Sequence, residues 1–147
     1  MTLPIEDLLL ECGLHYTKEV DPEKGTSFQL PFEVCSGTIF IKLHVDDRFV
    51  ASYVFLRSLD TIAVQTSRKE LFLDLLKLNA NRLFARVAVW ASKENEIEWI
   101  LVTAESPADS LTAQGLKSLV EQTVNLADQV TATIQAHSTL PQRQLTE

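Results

Sequence analysis

A chain of 147 residues, 46% of them hydrophobic and 22% charged, can bury one ordinary core and is too apolar to stay disordered in bulk. Its formal net charge of −7 opposes phosphate backbones and anionic lipid surfaces, which argues against nucleic acid and membrane as partners. No window reaches the roughly 18 apolar residues of a membrane span. The first seven residues lack a basic segment, so no secretory signal is read. Cys12 and Cys35 form no C-x-x-C pair and are expected as reduced thiols, which places the protein in the cytoplasm.

Residues 4–14 read as a helix. Pro4 suits its first turn, Ile5, Leu8, Leu9 and Cys12 share one face, and Gly13 suits a C-terminal cap. Leu10 stands off that stripe. Residues 16–26 are polar and contain Asp21-Pro22-Glu23-Lys24-Gly25, which reads as a turn or loop. Residues 28–35 read as a strand, in which Pro31 argues for an edge position or a bulge because proline cannot donate to a ladder. Ser36-Gly37 marks a tight turn.

Two further strands, 38–45 and 49–57, are joined at Asp46-Asp47. In the second of them Phe49, Ala51, Tyr53 and Phe55 share one face, while Val50, Val54 and Leu56 share the other. Residues 59–65 read as a short strand or an irregular link. Ser67 and Glu70 form a capping box that opens a helix to about residue 81, with Leu71, Leu75 and Leu78 on one stripe and Phe72, Leu76 and Asn79 on the next.

The most prominent stretch is 83–105, a hairpin about Lys93-Glu94-Asn95-Glu96 with strands at 83–92 and 97–104. Both arms are apolar on both faces. Trp90 and Trp99 fall on opposite sides if the register is simple. Either Pro107 at a first helical position or Thr112 as a cap can open the last helix. That helix carries Leu116, Leu119, Val120, Thr123, Leu126, Ala127, Val130 and Ile134 at spacings of three and four, and runs to about residue 137. Residues 138–147 are polar and read as a flexible tail on a single domain of residues 1–137.

The order is α-β-β-β-α-β-β-α, an α+β domain with a mostly antiparallel five-stranded sheet. Three helices can cover one face of such a sheet. The other face is apolar in part, and a second copy of the chain is the simplest cover for it.

This order, in an acidic chain of this size, resembles the type III secretion chaperones and the related YbjN-like proteins. The local likeness lies in Leu75-Leu76-Lys77-Leu78-Asn79 closing a helix, in the hairpin through Trp99-Ile100-Leu101-Val102, and in Leu111 followed by the helix with Leu116, Leu119 and Leu126. The resemblance implies a small homodimer without enzymatic activity. In the secretion chaperones it implies apolar patches that hold an extended segment of a client protein.

Chemistry-bearing residues are sparse. His15, His44 and His137 have no second ligand at metal spacing. Cys12 sits on an apolar helical face, the usual place of a small core thiol. The carboxylate clusters Asp21/Glu23, Asp46-Asp47 and Glu94/Glu96/Glu98 fall in turns or beside them, where solvated charge is the ordinary state. With four glycines there is no phosphate-cradling loop, so no cofactor is expected.

These readings converge on a non-catalytic, chaperone-like protein-binding module. An extended partner segment would lie on apolar surface or pair with a free edge such as 28–35. Leu10, Phe40, Phe84, Trp90 and Ile100 are the candidate partner or dimer contacts. The alternative is a small-molecule-binding regulator or an enzyme with a pocket between the last helix and the sheet.

Overall fold

The computed structural model describes residues 5–23, 25–63, 67–80 and 84–138. The expectations for Pro4 and for the tail beyond Ser138 lie outside them, as do residues 64–66 and 81–83.

The helix α1 (Ile5–Cys12) ends as expected at Gly13, whose φ of 73° lets the Leu14 N–H reach the Leu9 carbonyl. Residues 16–26 are not a loop. They supply a strand, β1 (Thr17–Asp21), and the turn into β2 (Gly25–Val34). Every residue of β1 is exposed, so the apolar alternation that reveals a strand is missing. Its backbone ladder to β2 and a left-handed Gly25 (φ 88°) make it instead. The chain continues through β3 (Gly37–Val45), β4 (Phe49–Ser58), α2 (Arg68–Asn79), β5 (Arg86–Ala91), β6 (Glu98–Pro107) and α3 (Ala113–Ser138). Short 3₁₀ turns follow β4 (Leu59–Thr61) and β6 (Ala108–Ser110).

The sheet is six-stranded and antiparallel in every pairing, in the order β1-β2-β3-β4-β6-β5. The α+β class therefore holds, with one strand more than expected. The edge expected at Pro31 is local. The ladder from β1 stops at Gln29, so Pro31 lies just beyond its end while still facing Phe40 of β3.

Turn chemistry fixes the hairpins. Asp46 Oδ1 accepts the N–H groups of Arg48 (2.8 Å) and Phe49 (2.7 Å), closing the β3–β4 turn. Those two N–H bonds, Phe49's first, hold the Asp46 carboxyl below its ordinary pKa. In the β5–β6 turn Asn95 Oδ1 accepts the Ile97 N–H at 3.1 Å, and Glu96 takes a left-handed φ of 58°.

The helices take the caps that sequence offered. Ser67 Oγ accepts the Glu70 N–H at 3.1 Å and starts α2. For α3, Thr112 is the cap, its Oγ1 accepting the Gly115 N–H at 3.0 Å. Pro107 ends β6 rather than opening the helix.

All three helices form one layer on one face of the sheet. α3 crosses β2, β3, β4, β6 and β5, and α1 and α2 pack against α3. Between the layers lie Leu30, Ile41, Leu43, Val50, Ile100 and Val102 from the sheet, with Leu116, Val120, Leu126, Val130 and Ile134 from α3, all fully buried or nearly so. α3 of 26 residues spans about 39 Å, enough to cross such a sheet from side to side.

Candidate functional site: the open face of the sheet

Among the described residues, no helix lies on one face of the sheet. Alternation places Phe40, Lys42 and His44 of β3 there, with Phe49, Ala51, Tyr53 and Phe55 of β4, Trp99, Leu101 and Thr103 of β6, and Ala88 and Trp90 of β5. Trp90 and Trp99 stand opposite each other in the β5–β6 ladder, on this same face and not on opposite ones. The turn register pairs Ala91 with Glu98, and cross-strand partners always share a side.

The rings form one connected group. Phe55 meets Trp90 edge-on with centroids 5.6 Å apart, and meets Trp99 at 6.1 Å. Tyr53 meets Phe55 at 5.9 Å. Phe55 and Trp90 belong to strands separated by β6, so their rings meet across that strand. Such T-shaped pairs add about 0.5–1.5 kcal/mol each beyond area burial. Yet Phe55 remains 42% and Trp90 48% exposed, and Phe40, Phe49 and Phe84 are also about half exposed. A register shift in the β4–β6 ladder, between Phe55 and Arg57, ends the regular alternation of β4 just past the rings.

The candidate contacts separate. Phe40 and Trp90 share the open face, and Phe84, next to buried Ala85, lies exposed just before β5. Leu10 is exposed, but on α1 in the helical layer. Ile100 is 0% exposed and is not a contact. Its strand is apolar on both faces, and the face with Ile100, Val102 and Ala104 is the one the helices cover. Sequence reasoning passed over Phe55 and Tyr53 as contacts, although their place with Phe49 on one face of their strand was legible.

Apart from Phe40, the β1–β3 half of the open face is largely polar. A shallow hollow of about 480 Å³ is lined by Glu19, Asp21, Ser27, Lys42, His44 and Tyr53, among others. Burial, and then the charge of Glu19, push the Tyr53 phenol above its ordinary pKa. An Arg86–Glu105 ion pair of 3.9 Å lies at the β5–β6 end of the face.

Several titratable groups elsewhere have structural partners. Cys12 Sγ donates to the Ala113 carbonyl at 2.8 Å, and burial pushes its thiol above the ordinary value, the wrong direction for a nucleophile. Glu6 Oε2 receives Lys18 Nζ at 3.0 Å and Glu6 Oε1 receives the Tyr16 hydroxyl at 3.1 Å, tying β1 to α1. His137 Nε2 meets Asp74 Oδ2 at 2.6 Å and joins α3 to α2. Among the described residues no three His, Cys, Asp or Glu side chains are grouped to hold a metal ion, and no helix is long and apolar enough to cross a membrane.

No protein-family model and no curated protein matches the sequence. Solved structures do. YbjN of E. coli, a suggested transcription regulator, superposes with a TM-score of 0.64 at 16% identity, over 96% of this chain and 99% of that one. An uncharacterized protein from Methanothermobacter thermautotrophicus superposes with a TM-score of 0.65 at 18% identity, over 92% and 96% of the two chains. The likeness in element order is thus a likeness in three dimensions, and the chain has a YbjN-like fold.

Proposed function

We propose that this protein is a non-catalytic protein-binding module that works as a homodimer and holds an extended partner segment on the open face of its sheet. The observation that carries this reading is the connected group Tyr53, Phe55, Trp90 and Trp99 on a face that no helix covers among the described residues. Half-exposed aromatic rings are the side chains that most often anchor protein interfaces. The exposed halves of Phe40, Phe55, Phe84 and Trp90 together amount to about 300–500 Å². That is the size of a functional apolar patch and about half of one side of a standard interface. The polar hollow beside it supplies the wet rim that such interfaces have.

Absence of catalysis is part of the proposal. It is supported by the Cys12 thiol being held neutral and by the structural partners of Glu6, Asp46 and Asp74. Between α3 and the sheet, where the alternative reading puts a pocket, lie buried apolar side chains of both. A regulatory role such as that suggested for YbjN would here act through protein contacts, since a chain of net charge −7 is ill suited to DNA.

Affinity capture from lysate of the source organism, comparing wild type with Phe55→Asp and Leu10→Asp, tests the reading. A partner held by wild type and Leu10→Asp and lost from folded Phe55→Asp is the expected result. Equal retention by all three would refute a role for the open face.

A further inference from the structure

The two edges of the sheet are built from opposite materials. β1 presents Lys18, Glu19 and Asp21, the charges that keep an edge from pairing with another chain. β5 presents Arg86-Val87-Ala88-Val89-Trp90-Ala91, with a single charge at its start. Such an apolar edge, of high β-propensity, is unstable in water unless something covers it.

Among the described residues, the chain itself covers this edge at one position. Asn79, the last residue of α2, accepts the Val87 N–H at 2.8 Å and donates to the Val87 carbonyl at 3.1 Å, as a neighbouring strand would. Val87 therefore turns both backbone groups away from β6. The turn bond from the Ser92 N–H to the Ile97 carbonyl gives the same phase, so Val89 and Ala91 also point theirs outward. Apolar surface flanks these two residues on both sides of the sheet. Trp90 lies on the open side. On the helical side Val89 is 46% exposed although it shares the face of buried Val87. Leu76, one turn before Asn79 on α2, is 60% exposed.

From this geometry we infer that β5 pairs antiparallel with β5 of a second copy about a twofold axis at Trp90. This rests on the homodimer reading above and gives it an interface. Asn79 sets the register. An axis at Val89 would oppose Ala91 to Val87, whose groups are already taken. An axis at Ala91 would oppose Val89 to Lys93 in the turn. Only the axis at Trp90 matches Val89 with Ala91 of the copy, and Ala91 with Val89, using every outward group. Both copies are the same patch, as a twofold interface requires. The two sheets become one, and the aromatic groups of the two open faces become one band. From β4 to its copy that band spans about 24 Å, which about seven extended residues of a partner can cross.

Trp90 and its symmetry mate then form a non-hydrogen-bonded pair, whose short separation suits a disulfide. The test uses the full chain with Cys12→Ser and Cys35→Ser, to which Trp90→Cys or Phe84→Cys is added, with mild oxidation. Light scattering on the unaltered chain and on Val89→Pro completes it. Val89→Pro removes one outward N–H and no bond to β6. Expected are a mass twice the 16.5 kDa of one chain, a covalent dimer from Trp90→Cys only, and dimer dissociation at least tenfold stronger in a folded Val89→Pro. A dimer that Val89→Pro leaves intact and Trp90→Cys does not link overturns edge pairing and spares the homodimer reading. A monomer at about 100 μM, well above the Kd of a stable dimer, overturns both.

Discussion

The carboxamide of Asn79 closes on both backbone groups of Val87, so the last side chain of α2 acts as one residue of a missing strand beside β5. This clasp fixes where α2 ends against the sheet and how much of the β5 edge stays open. Asn79→Ala breaks two hydrogen bonds to a largely buried residue and is expected to cost about 1–3 kcal/mol. The melting temperature should fall by several degrees, and exchange of the Val87 amide should accelerate more than that of Val102. Unchanged exchange at Val87 would show that the clasp does not persist in solution.

Ser52 is fully buried in β4, between Leu43 and Ala104, and its hydroxyl has no hydrogen-bond partner among the described residues. A buried hydroxyl without a partner loses its water for no return. Ser52→Ala should therefore raise stability by about 1 kcal/mol in urea unfolding. A loss of similar size would mean that the hydroxyl has a partner in solution.

Glu96 adopts a φ of 58° in the β5–β6 turn, a conformation that costs an L-residue about 1–2 kcal/mol. Glu96→Asn or Glu96→Gly should stabilise the hairpin, by about 0.5–1 kcal/mol. Glu96→Val should do the reverse, since a β-branched side chain fits that region worst. Thermal unfolding of the three variants checks the ranking.

Stability should fall toward acid. Asp46 is held below its ordinary pKa by the N–H groups of Phe49 and Arg48, Asp74 by His137, and Glu6 by Lys18 and then Tyr16. A depressed carboxyl stabilises the fold above its unfolded pKa, near 4, and that contribution disappears as pH drops through the folded value. Wild type and Asp46→Asn should therefore differ in urea midpoint at pH 7 and draw together as pH falls through the lowered folded value of Asp46. Cys12 and Tyr53 have the opposite sign. Burial raises both, so their contribution is present below about pH 9 and is lost as pH climbs through the raised values.

Much of this was readable from sequence where burial writes a period. The stripe from Leu116 to Ile134 gives α3, Ser67 and Glu70 give the start of α2, and the apolar arms about Lys93-Glu94-Asn95-Glu96 give the β5–β6 hairpin. β1 was not readable, because a fully exposed strand carries no period and owes its existence to its neighbour's hydrogen bonds. The burial of Ile100 is illegible for a different reason. A strand apolar on both faces shows that both will be covered, and only the path of α3 decides which is covered from within. The contact of Phe55 with Trp90 joins residues 35 apart in sequence across a third strand, and depends on the β4–β6 register. No local pattern encodes it.

Binding of an extended apolar segment to the open face of the sheet can be measured directly. Both tryptophans lie on that face, so their emission reports its occupation. The measurement is titration of wild type, Phe55→Asp and Leu10→Asp with synthetic peptides of about ten residues that alternate apolar and polar side chains, the period an extended strand presents to one surface. A saturable blue shift is expected in wild type and Leu10→Asp, weakened at least tenfold in folded Phe55→Asp. A titration in which no such peptide shifts the emission, or in which Phe55→Asp binds as wild type does, would contradict binding at the open face.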